Sequence, residues 1–256
     1  MLKVTMKPNS GSNSAATVAA REHLLHGPGE AISDVLELLR EAMTPQRRVV
    51  REGDVVYRVG EHFSNLYVLN SGYCKIVNLS ADGREQVVAL KFRGDWLGFD
   101  GIADQRYTCD AVAIDTGEVW VIPYQNLLSA CSARPALLTV IHQAMSREIA
   151  SDRDSLMSVC TLTAEARVAD FLRYWADSIA RRGMRTDQIT LRMSRAEMGN
   201  YLGMTLETVS RSLSRLARDQ LIQFTEKGRR DIRIPCVQAL QSFVSRSLSP
   251  APRVLQ

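Results

Sequence analysis

The chain has 256 residues, of which 45% are hydrophobic and 23% are charged, as in soluble proteins of one large or two modest domains. Its apolar runs are too short for a membrane span, and its first twenty residues lack the apolar segment of a signal peptide, which indicates a cytoplasmic protein. The net charge of +4 is unevenly distributed along the chain. From Thr161 onward there are 16 Lys and Arg but 9 Asp and Glu, whereas the preceding residues contain 16 Lys and Arg and 19 Asp and Glu. A basic C-terminal module predicts a polyanionic partner.

The cysteine pattern does not indicate a metal site. The five cysteines are Cys74, Cys109, Cys131, Cys160 and Cys236. They form no CxxC pair and no Cys/His cluster at the spacing that zinc requires. We interpret them as reduced thiols and expect no bound metal; a redox role, for example for Cys109, is the alternative.

The N-terminal half contains three successive sequence patterns. Residues 1–28 are rich in Ser, Asn, Gly and Ala, which predicts disorder. An amphipathic helix is predicted over residues 31–43, with Val35, Leu38 and Leu39 on one face. From Arg47 to about Pro123, short β-type runs alternate with turn signals, which predicts an antiparallel barrel or double-sheet jelly roll within a domain spanning residues 29–134.

A long amphipathic helix is predicted over residues 135–160, because apolar side chains recur there at helical spacing. The stripe consists of Leu138, Ile141, Met145, Ile149, Leu156 and Val159. Such a helix either covers the barrel or forms a coiled-coil seam with a second copy of the chain. Asp152 lies on the same stripe, where two copies would repel each other across a dimer axis. The alternative is that the local register turns Asp152 outward.

Helix-start and helix-stop signals predict a helix pair after residue 161, where we place a domain boundary. Thr163 is a candidate N-cap for a helix that ends near Gly183. Further on, Ser194 and Glu197 form a capping box for a short helix that ends at Gly203. Thr205 caps the next helix, which is predicted to reach about Asp219. Two helices joined by a tight glycine-containing turn are typical of a helix-turn-helix.

The second helix of this pair has two different faces at about 100° per residue. Its predicted buried face consists of Leu206, Val209, Leu213, Leu216 and Ala217. Its polar face carries Glu207, Ser210, Arg211, Ser214 and Arg218, with Arg215 at the edge. Arginine pairs with guanine, glutamate accepts from cytosine and serine bonds several bases, so this face suits base edges in a DNA groove. The alternative is a solvated face with a Glu207–Arg211 pair.

A basic hairpin after the helix pair favours the DNA interpretation. Residues 221–235 predict two short strands around Lys227 and Gly228. Three basic side chains of this wing, Lys227, Arg229 and Arg230, are candidates for phosphate contacts.

The stretch "LRMSRAEMGNYLGMTLETVSRSLSRLARDQLI" resembles the winged helix-turn-helix of the Crp/Fnr transcription regulators, and the Fnr branch more than the Crp branch. The resemblance extends upstream through "RGDWLGFDGI" and "REGDVVYRVGE" and covers about residues 45–240. It implies an α+β protein with an N-terminal antiparallel jelly-roll barrel of the cyclic-nucleotide-binding type. A long dimerisation helix, a winged helix-turn-helix over residues 161–240 and a C-terminal tail over residues 241–256 complete the expected organisation.

The resemblance also implies which residues read DNA. The Glu-x-x-Ser-Arg motif of the Fnr branch is matched by Glu207, Ser210 and Arg211, which implies inverted repeats of TTGAT-type half-sites. Leu206 stands where the Crp branch has arginine, which argues against Crp-type sites. The candidate contacts to the DNA backbone are Ser194, Arg195, Thr205, Thr208, Ser212, Ser214, Arg215, Arg218, Lys227, Arg229 and Arg230. Asp152 falls where the family has a residue of its dimer seam.

Two departures from the family concern its cofactors. Fnr-type oxygen sensors hold an iron–sulfur cluster with several N-terminal cysteines and one cysteine in the barrel. This chain has no cysteine before Cys74, and Trp120 takes the place of the barrel cysteine, so no iron–sulfur cluster is expected. Cyclic-nucleotide binders use an Arg-Ser pair, which Tyr107 and Thr108 replace here, so cyclic AMP is not expected. Haem stays open, since no spacing singles out a ligand among His23, His26, His62 and His142. The candidate effector pocket consists of Gly94, Asp95, Trp96, Leu97, Arg106, Tyr107 and Thr108.

These features predict a homodimeric, sequence-specific DNA-binding regulator and not an enzyme. RNA polymerase and a small-molecule effector are its further expected partners. The first alternative is a small-molecule-binding or thiol redox-sensing module whose main output is not DNA binding. The second is a metal-dependent enzyme on a cupin-like barrel, which the lack of clustered His and Glu disfavours.

Overall fold

The computed structural model describes residues 32–80, 82–225 and 230–248. The predicted disordered segment 1–28, with His23 and His26, and the wing residues Lys227 and Arg229 lie outside the described residues. Helix α1 spans Ile32–Ala42, in agreement with the predicted amphipathic helix. Val35 and Leu39 are buried in the core.

Two four-stranded antiparallel sheets form the predicted jelly roll. Their strands are β1 (Gln46–Val50), β2 (Val55–Tyr57), β3 (Asn65–Ser71), β4 (Cys74–Leu79), β5 (Glu85–Lys91), β6 (Trp96–Leu97), β7 (Asp110–Ala113) and β8 (Gly117–Pro123). The sheet orders are β1-β8-β3-β6 and β2-β7-β4-β5. Glycine is needed where β3 turns into β4 beside the start of β8, since a Cβ on Gly117 would lie 2.2 Å from the Ser71 carbonyl oxygen.

Two helices follow the barrel, α2 (Tyr124–Ala133) and α3 (Pro135–Thr161). The second confirms the predicted long helix. Its first half packs on the barrel through Leu137, Val140, Ile141 and Ala144, which are all buried. The placement of Ile141 in the dimer seam was therefore wrong, because this side chain belongs to the core of its own chain. Met145 is half-buried against that same core.

The other members of the predicted seam are exposed. Leu138, Ile149, Leu156 and Val159 all present large apolar side chains to solvent, and Leu156 is 65% exposed. Asp152 is exposed between Ile149 and Leu156 on this face. The second half of α3 thus offers an apolar stripe with one carboxylate on it.

The C-terminal module contains four helices and a three-stranded sheet. These are α4 (Ala164–Ala180), β9 (Gln188–Thr190), α5 (Arg195–Leu202), α6 (Leu206–Arg218), β10 (Gln223–Phe224), β11 (Asp231–Arg233) and α7 (Val237–Leu248). The sheet order is β10-β11-β9, so the two predicted wing strands gain a third. Residues 241–248, predicted as tail, are the second half of α7, because Leu240, Phe243 and Val244 pack into the core beside α4.

The core of the C-terminal module continues into the barrel. Val77, Val87 and Leu90 of the second sheet, with Phe92 directly after β5, belong to the same buried cluster as the helices of the helix-turn-helix. The Phe92 ring meets Trp175 of α4 edge-on, with the ring centroids 5.3 Å apart. The chain changes element near residue 161, as predicted, but its apolar packing does not stop there.

Candidate nucleic-acid interface

Local hydrogen bonds fix the start of the first helix of the pair. The Ser194 hydroxyl accepts from the Glu197 N–H at 3.2 Å, and the Glu197 carboxylate accepts from the Ser194 N–H at 2.9 Å. This is the predicted capping box, which satisfies two backbone donors that a helix N-terminus leaves open. The helix therefore begins at a defined residue.

The turn between the two helices also forms as predicted. Gly203 ends α5 in the left-handed region, with φ of 63°, where a side chain is disfavoured. A Cβ at Gly199 would lie 2.6 Å from the Met204 carbonyl oxygen, so this glycine lets the turn pass close to α5. The Thr205 hydroxyl then caps α6 by accepting from the Thr208 N–H at 3.3 Å. These contacts set the direction of α6.

The buried face of α6 confirms most of the predicted pattern. Val209, Leu213 and Leu216 are fully buried, and Ala217 packs against the same core. Leu206 was wrongly placed on this face, since it is 46% exposed. It is the first residue of the helix, and no turn precedes it to extend the buried face.

The opposite face of α6 borders an open groove of about 620 Å³. Its lining residues are Ala164, Glu165, Thr208, Ser210, Arg211, Ser212, Ser214, Arg215 and Arg218. The three arginines are exposed, as is Glu207 beside them. Hydrogen bonds from its own backbone N–H and from Thr205 lower the pKa of Glu207, so its carboxylate is ionised and ready to accept. The structure thus brings the predicted base-reading side chains to one accessible face.

Ser212 cannot contact a DNA backbone as predicted. It is 3% exposed, because it lies three residues after Val209 and four before Leu216, on the buried side of the helix. Ser214 is half-buried, and its hydroxyl donates to the Ser210 carbonyl at 2.9 Å.

The remaining candidate backbone contacts lie around the helix pair. Arg230, in the wing, is exposed. Ser194 is exposed, but its hydroxyl takes part in the capping box. Arg195 is half-buried and donates to the Met198 sulfur at 3.4 Å. The Arg211 guanidinium donates to the Thr208 hydroxyl at 3.2 Å, one turn back along α6.

Two residues of α4 that the sequence analysis did not assign to this site support it; Glu165 was expected only as an acidic residue in the first turn of the helix. Glu165 accepts from Arg215 at 3.2 Å and so enters the groove from a separate helix. Arg167 donates to the carbonyl oxygens of Leu202 at 2.8 Å and Gly203 at 3.4 Å, which closes the end of α5. No local pattern marks either residue, because each acts on an element at least 35 positions away.

The first helix of the pair also contacts the barrel. Lys75 of β4 forms an ion pair with Glu197 at 2.5 Å. Burial opposes ionisation of Glu197, but hydrogen bonds from Lys75 and Ser194 outweigh it and lower its pKa. The Asn200 amide accepts from the Val87 N–H at 2.5 Å and donates to the Glu85 carbonyl at 2.7 Å. Helix α5 therefore lies against β4 and β5 through polar contacts.

The predicted effector-pocket residues are not brought together around one cavity. Trp96 and Leu97 are buried in the barrel core, and Gly94 turns towards Ile32 of α1. Asp95 pairs with Arg182 of α4 at 2.7 Å. Arg106 is exposed and donates to the Gly60 carbonyl. Residues adjacent in the chain here point into different parts of the fold.

The donors at the cyclic-nucleotide position do not fit a phosphate. The Tyr107 ring stacks on Tyr57 with centroids 4.1 Å apart, and its hydroxyl donates to the Asn65 carbonyl at 2.7 Å. The Thr108 N–H and hydroxyl donate to the Asp100 carboxylate at 2.8 and 3.1 Å. The Asp100 carboxylate already accepts from both Thr108 donors and would repel a phosphate anion, so these residues do not fit a cyclic nucleotide.

The buried cysteines lie in surroundings that disfavour the thiolate. Burial raises the pKa of Cys74 to about 12. Burial and the neighbouring Asp100 also raise the pKa of Cys109, so the thiol singled out for a redox role stays protonated and weakly nucleophilic. In the ranges that the structure describes, no group of three His, Cys, Asp or Glu side chains is placed to hold a metal ion.

Comparisons with known proteins match both halves of the chain. The family model of the cyclic nucleotide-binding domain matches residues 47–134, and that of the Crp-like helix-turn-helix domain matches residues 166–243. Electron transport regulator A of Shewanella oneidensis is 32% identical over 182 residues, which cover 71% of this chain and 73% of that protein. Transcriptional activator protein Anr of Pseudomonas protegens is 33% identical over 175 residues, covering 68% and 72%.

A solved structure agrees with the observed fold. The structure of FixK2 from Bradyrhizobium japonicum covers 82% of this chain and 100% of its own, with a TM-score of 0.70 and 26% identity. Over the described residues, we find no helix with the length and apolar character to cross a membrane. The observed fold and the similarity to these proteins agree. The chain belongs to the Crp/Fnr family of DNA-binding transcription regulators.

Proposed function

We propose that this regulator binds TTGAT-type inverted repeats as a homodimer, with α6 of each copy in a major groove. The observation that carries the proposal is the face with exposed Glu207 and Arg211 and half-buried Ser210, on a helix whose start and packing are fixed. An ionised glutamate beside an arginine supplies both an acceptor and a bidentate donor for base edges. Arg215, Arg218 and Arg230 are exposed and are the candidates for phosphate contacts.

The exposed stripe on α3 supports the dimer. Leu138, Ile149 and Leu156 are large apolar side chains at helical spacing, and each is more than 40% exposed. Pairing two such stripes would remove them from water, which is the main driving force for helix association. The two recognition helices would then be related by the two-fold axis that an inverted repeat requires.

The proposal extends to the setting in which the protein acts. We place it in the cytoplasm, with RNA polymerase as a second macromolecular partner. The barrel receives the controlling signal, and its contacts with α5 through Lys75 and Asn200 provide a physical route from the barrel to the reading helix.

A competition experiment tests the DNA assignment. The purified protein is bound to a labelled TTGAT-N4-ATCAA duplex and challenged with unlabelled competitors, one of the same sequence and one with TGTGA half-sites. In both competitors the two half-sites lie about one helical turn, ~34 Å, apart. The TTGAT competitor should displace the probe at much lower concentration, because Glu207, Ser210 and Arg211 match the motif for TTGAT-type half-sites and Leu206 stands where a Crp-type reader has arginine. Equal displacement by both competitors would contradict the assignment of Glu207, Ser210 and Arg211.

A further inference from the structure

A carboxylate lines the same groove as the base-reading face. The charged residues of the groove are Arg211, Arg215 and Arg218 from α6 and Glu165 from α4. Glu165 lies in the first turn of α4, whose start is fixed by the Thr163 hydroxyl accepting from the Ala166 N–H. Its position therefore does not depend on the recognition helix.

Glu165 is paired with one of the three arginines. Its Oε1 lies 3.2 Å from Nη1 of Arg215, and the two side chains are 31% and 59% exposed. An ion pair with this exposure adds little to the stability of a fold. It does change the charge that the groove presents, because the guanidinium of Arg215 is already neutralised.

This charge matters most for sequence-independent binding. Generic affinity for duplex DNA comes from arginine and lysine replacing the counterions of phosphates, and each such contact steepens the salt dependence. A phosphate that approaches Arg215 must displace Glu165 and then faces its carboxylate at short range. Base contacts by Arg211 do not pass through this pair, since Arg211 donates to Thr208 instead.

We infer that Glu165 is a specificity-determining residue that restrains Arg215 from generic phosphate contacts. The inference rests on the proposed function, because it needs DNA in this groove. In generic complexes, which sample many registers, a freed Arg215 follows whichever phosphate is near. In the cognate complex the base contacts fix the register, so the freed arginine gains less. Glu165 therefore widens the ratio between cognate and generic affinity.

The test is the salt dependence of Glu165→Gln on two duplexes, one with the TTGAT repeat and one without it. On the generic duplex, we expect the slope of log K against log salt to steepen by about 0.9, which corresponds to about eightfold tighter binding near 0.1 M salt. On the cognate duplex, the gain should be smaller. Fluorescence anisotropy over about 50–200 mM salt measures both.

Glu41→Gln is the matched control. Glu41 also pairs with an arginine, Arg134, at 3.2 Å on the surface, but it lies outside the groove. It removes the same charge from the chain, so an equal steepening in both variants would assign the effect to net charge and overturn the inference. The double variant Glu165→Gln with Arg215→Gln should lose the steepening, because no guanidinium is freed.

Two further measurements distinguish failure of the Glu165 inference from failure of the proposed function. Glu165→Ala also removes the carboxylate and should steepen the slope equally, with circular dichroism confirming the fold of both variants. An unchanged slope in folded Glu165→Gln and Glu165→Ala would overturn the role of Glu165. If the parent protein does not prefer the TTGAT duplex, the proposed function fails instead, whatever the slopes of the variants show.

Discussion

The Arg211 side chain is exposed, but a hydrogen bond to its own helix, α6, restrains its guanidinium. Its donation to Thr208 at 3.2 Å links it to the first turn, where Thr205 caps the helix. A side chain held in this way reaches a base edge with less loss of conformational freedom than an unrestrained arginine. A substitution at Arg211 therefore tests contacts to bases separately from contacts to phosphates.

Replacing Arg211 by Ala should weaken binding to the TTGAT duplex by about 1–3 kcal/mol and reduce discrimination at the guanine. Replacing the exposed wing residue Arg230 by Ala should instead weaken all duplexes alike and reduce the magnitude of the salt slope by about one. Titrations of both variants on cognate, guanine-substituted and generic duplexes distinguish these patterns. Identical profiles for the two variants would contradict the division between base and phosphate contacts.

At the residue scale, the sequence could reveal the burial of Ser212 but not the pairing of Glu165 with Arg215. Ser212 is buried, and its position three residues after Val209 and four before Leu216 was a signal for that in the sequence. The pairing of Glu165 with Arg215 had no such signal, because the two residues are 50 positions apart. Helical periodicity reports the face of a residue but not its partner on another element.

At the scale of elements, helix caps and turns followed from sequence, whereas contacts between elements did not. The capping box at Ser194 and the end of α5 at Gly203 depend on residues within one turn. Asn200, in contrast, bonds the backbone of β5 more than 110 residues away. A polar residue with that role looks the same in a sequence as a solvated one.

Replacing Asn200 by Ala should lower the free energy of unfolding by about 1–3 kcal/mol, because the Val87 N–H and the Glu85 carbonyl lose their partner. Urea denaturation followed by circular dichroism measures the change. Asn65→Ala is the control, since among the described residues the Asn65 side chain donates only to the neighbouring Ser64 hydroxyl, at an exposed site. That variant should stay within about 0.5 kcal/mol of the parent. Equal losses would mean that the Asn200 contact adds nothing specific.

Replacing Asp152 by Ala should shift the monomer–dimer equilibrium towards dimer and raise DNA affinity without an effector. Two copies of this carboxylate would meet across the stripe that contains Ile149 and Leu156, and bringing like charges together out of water is unfavourable. Sedimentation across a concentration series measures the equilibrium. Asp104→Ala, which removes a charge from an exposed turn of the barrel, should leave it unchanged. Dimerisation no stronger than that of the parent would place Asp152 outside the seam or in a favourable pair.

At the scale of the whole molecule, barrel and helices are joined more extensively than two modules on a hinge. Phe92 packs on Trp175, and Arg182, with its side chain only 4% exposed, lies over the Phe92 ring and pairs with Asp95. The sequence indicated the jelly roll and the helix pair separately. It held one partial signal for the packing between them, since the run from Val87 to Phe92 is apolar except for Lys91. Val87, Leu90 and Phe92 of this run are buried in the shared core, whereas Val88 is 39% exposed.

The pair between buried Lys91 of β5 and half-buried Glu148 of α3, 2.9 Å apart, predicts a pH-dependent stability. Burial raises the pKa of Glu148 above its ordinary 4.5, although Lys91 acts to lower it. A carboxyl with a raised native pKa binds its proton more readily in the folded state, so its unfavourable contribution grows as pH rises from 4.5 through the native pKa. Removing Lys91 raises that pKa further and enlarges the loss at high pH.

Lys91→Met should therefore destabilise the protein more at about pH 8 than at about pH 5, by up to ~3 kcal/mol at the higher pH. Urea unfolding at both pH values is the measurement. Arg185→Met is the control, because its partner Asp187 is exposed and Arg185 lowers the pKa of that carboxyl from its ordinary 3.8. Without the arginine, Asp187 stays ionised at both pH values, so any loss should be the same at both. An equal loss at the two pH values for Lys91→Met would contradict a raised pKa at Glu148.

The contact between Asn200 and β5 also governs what the barrel offers to other chains. Among the described strands, β5 is the last in its sheet, so its outer side carries backbone donors and acceptors that a foreign strand can pair with. The Asn200 amide occupies two of these groups, as a neighbouring peptide would. Any change that lifts α5 from the barrel thus uncovers a template for strand addition. The first helix of the pair, α5, therefore covers part of a sheet edge that could pair with another chain, a role unrelated to reading bases.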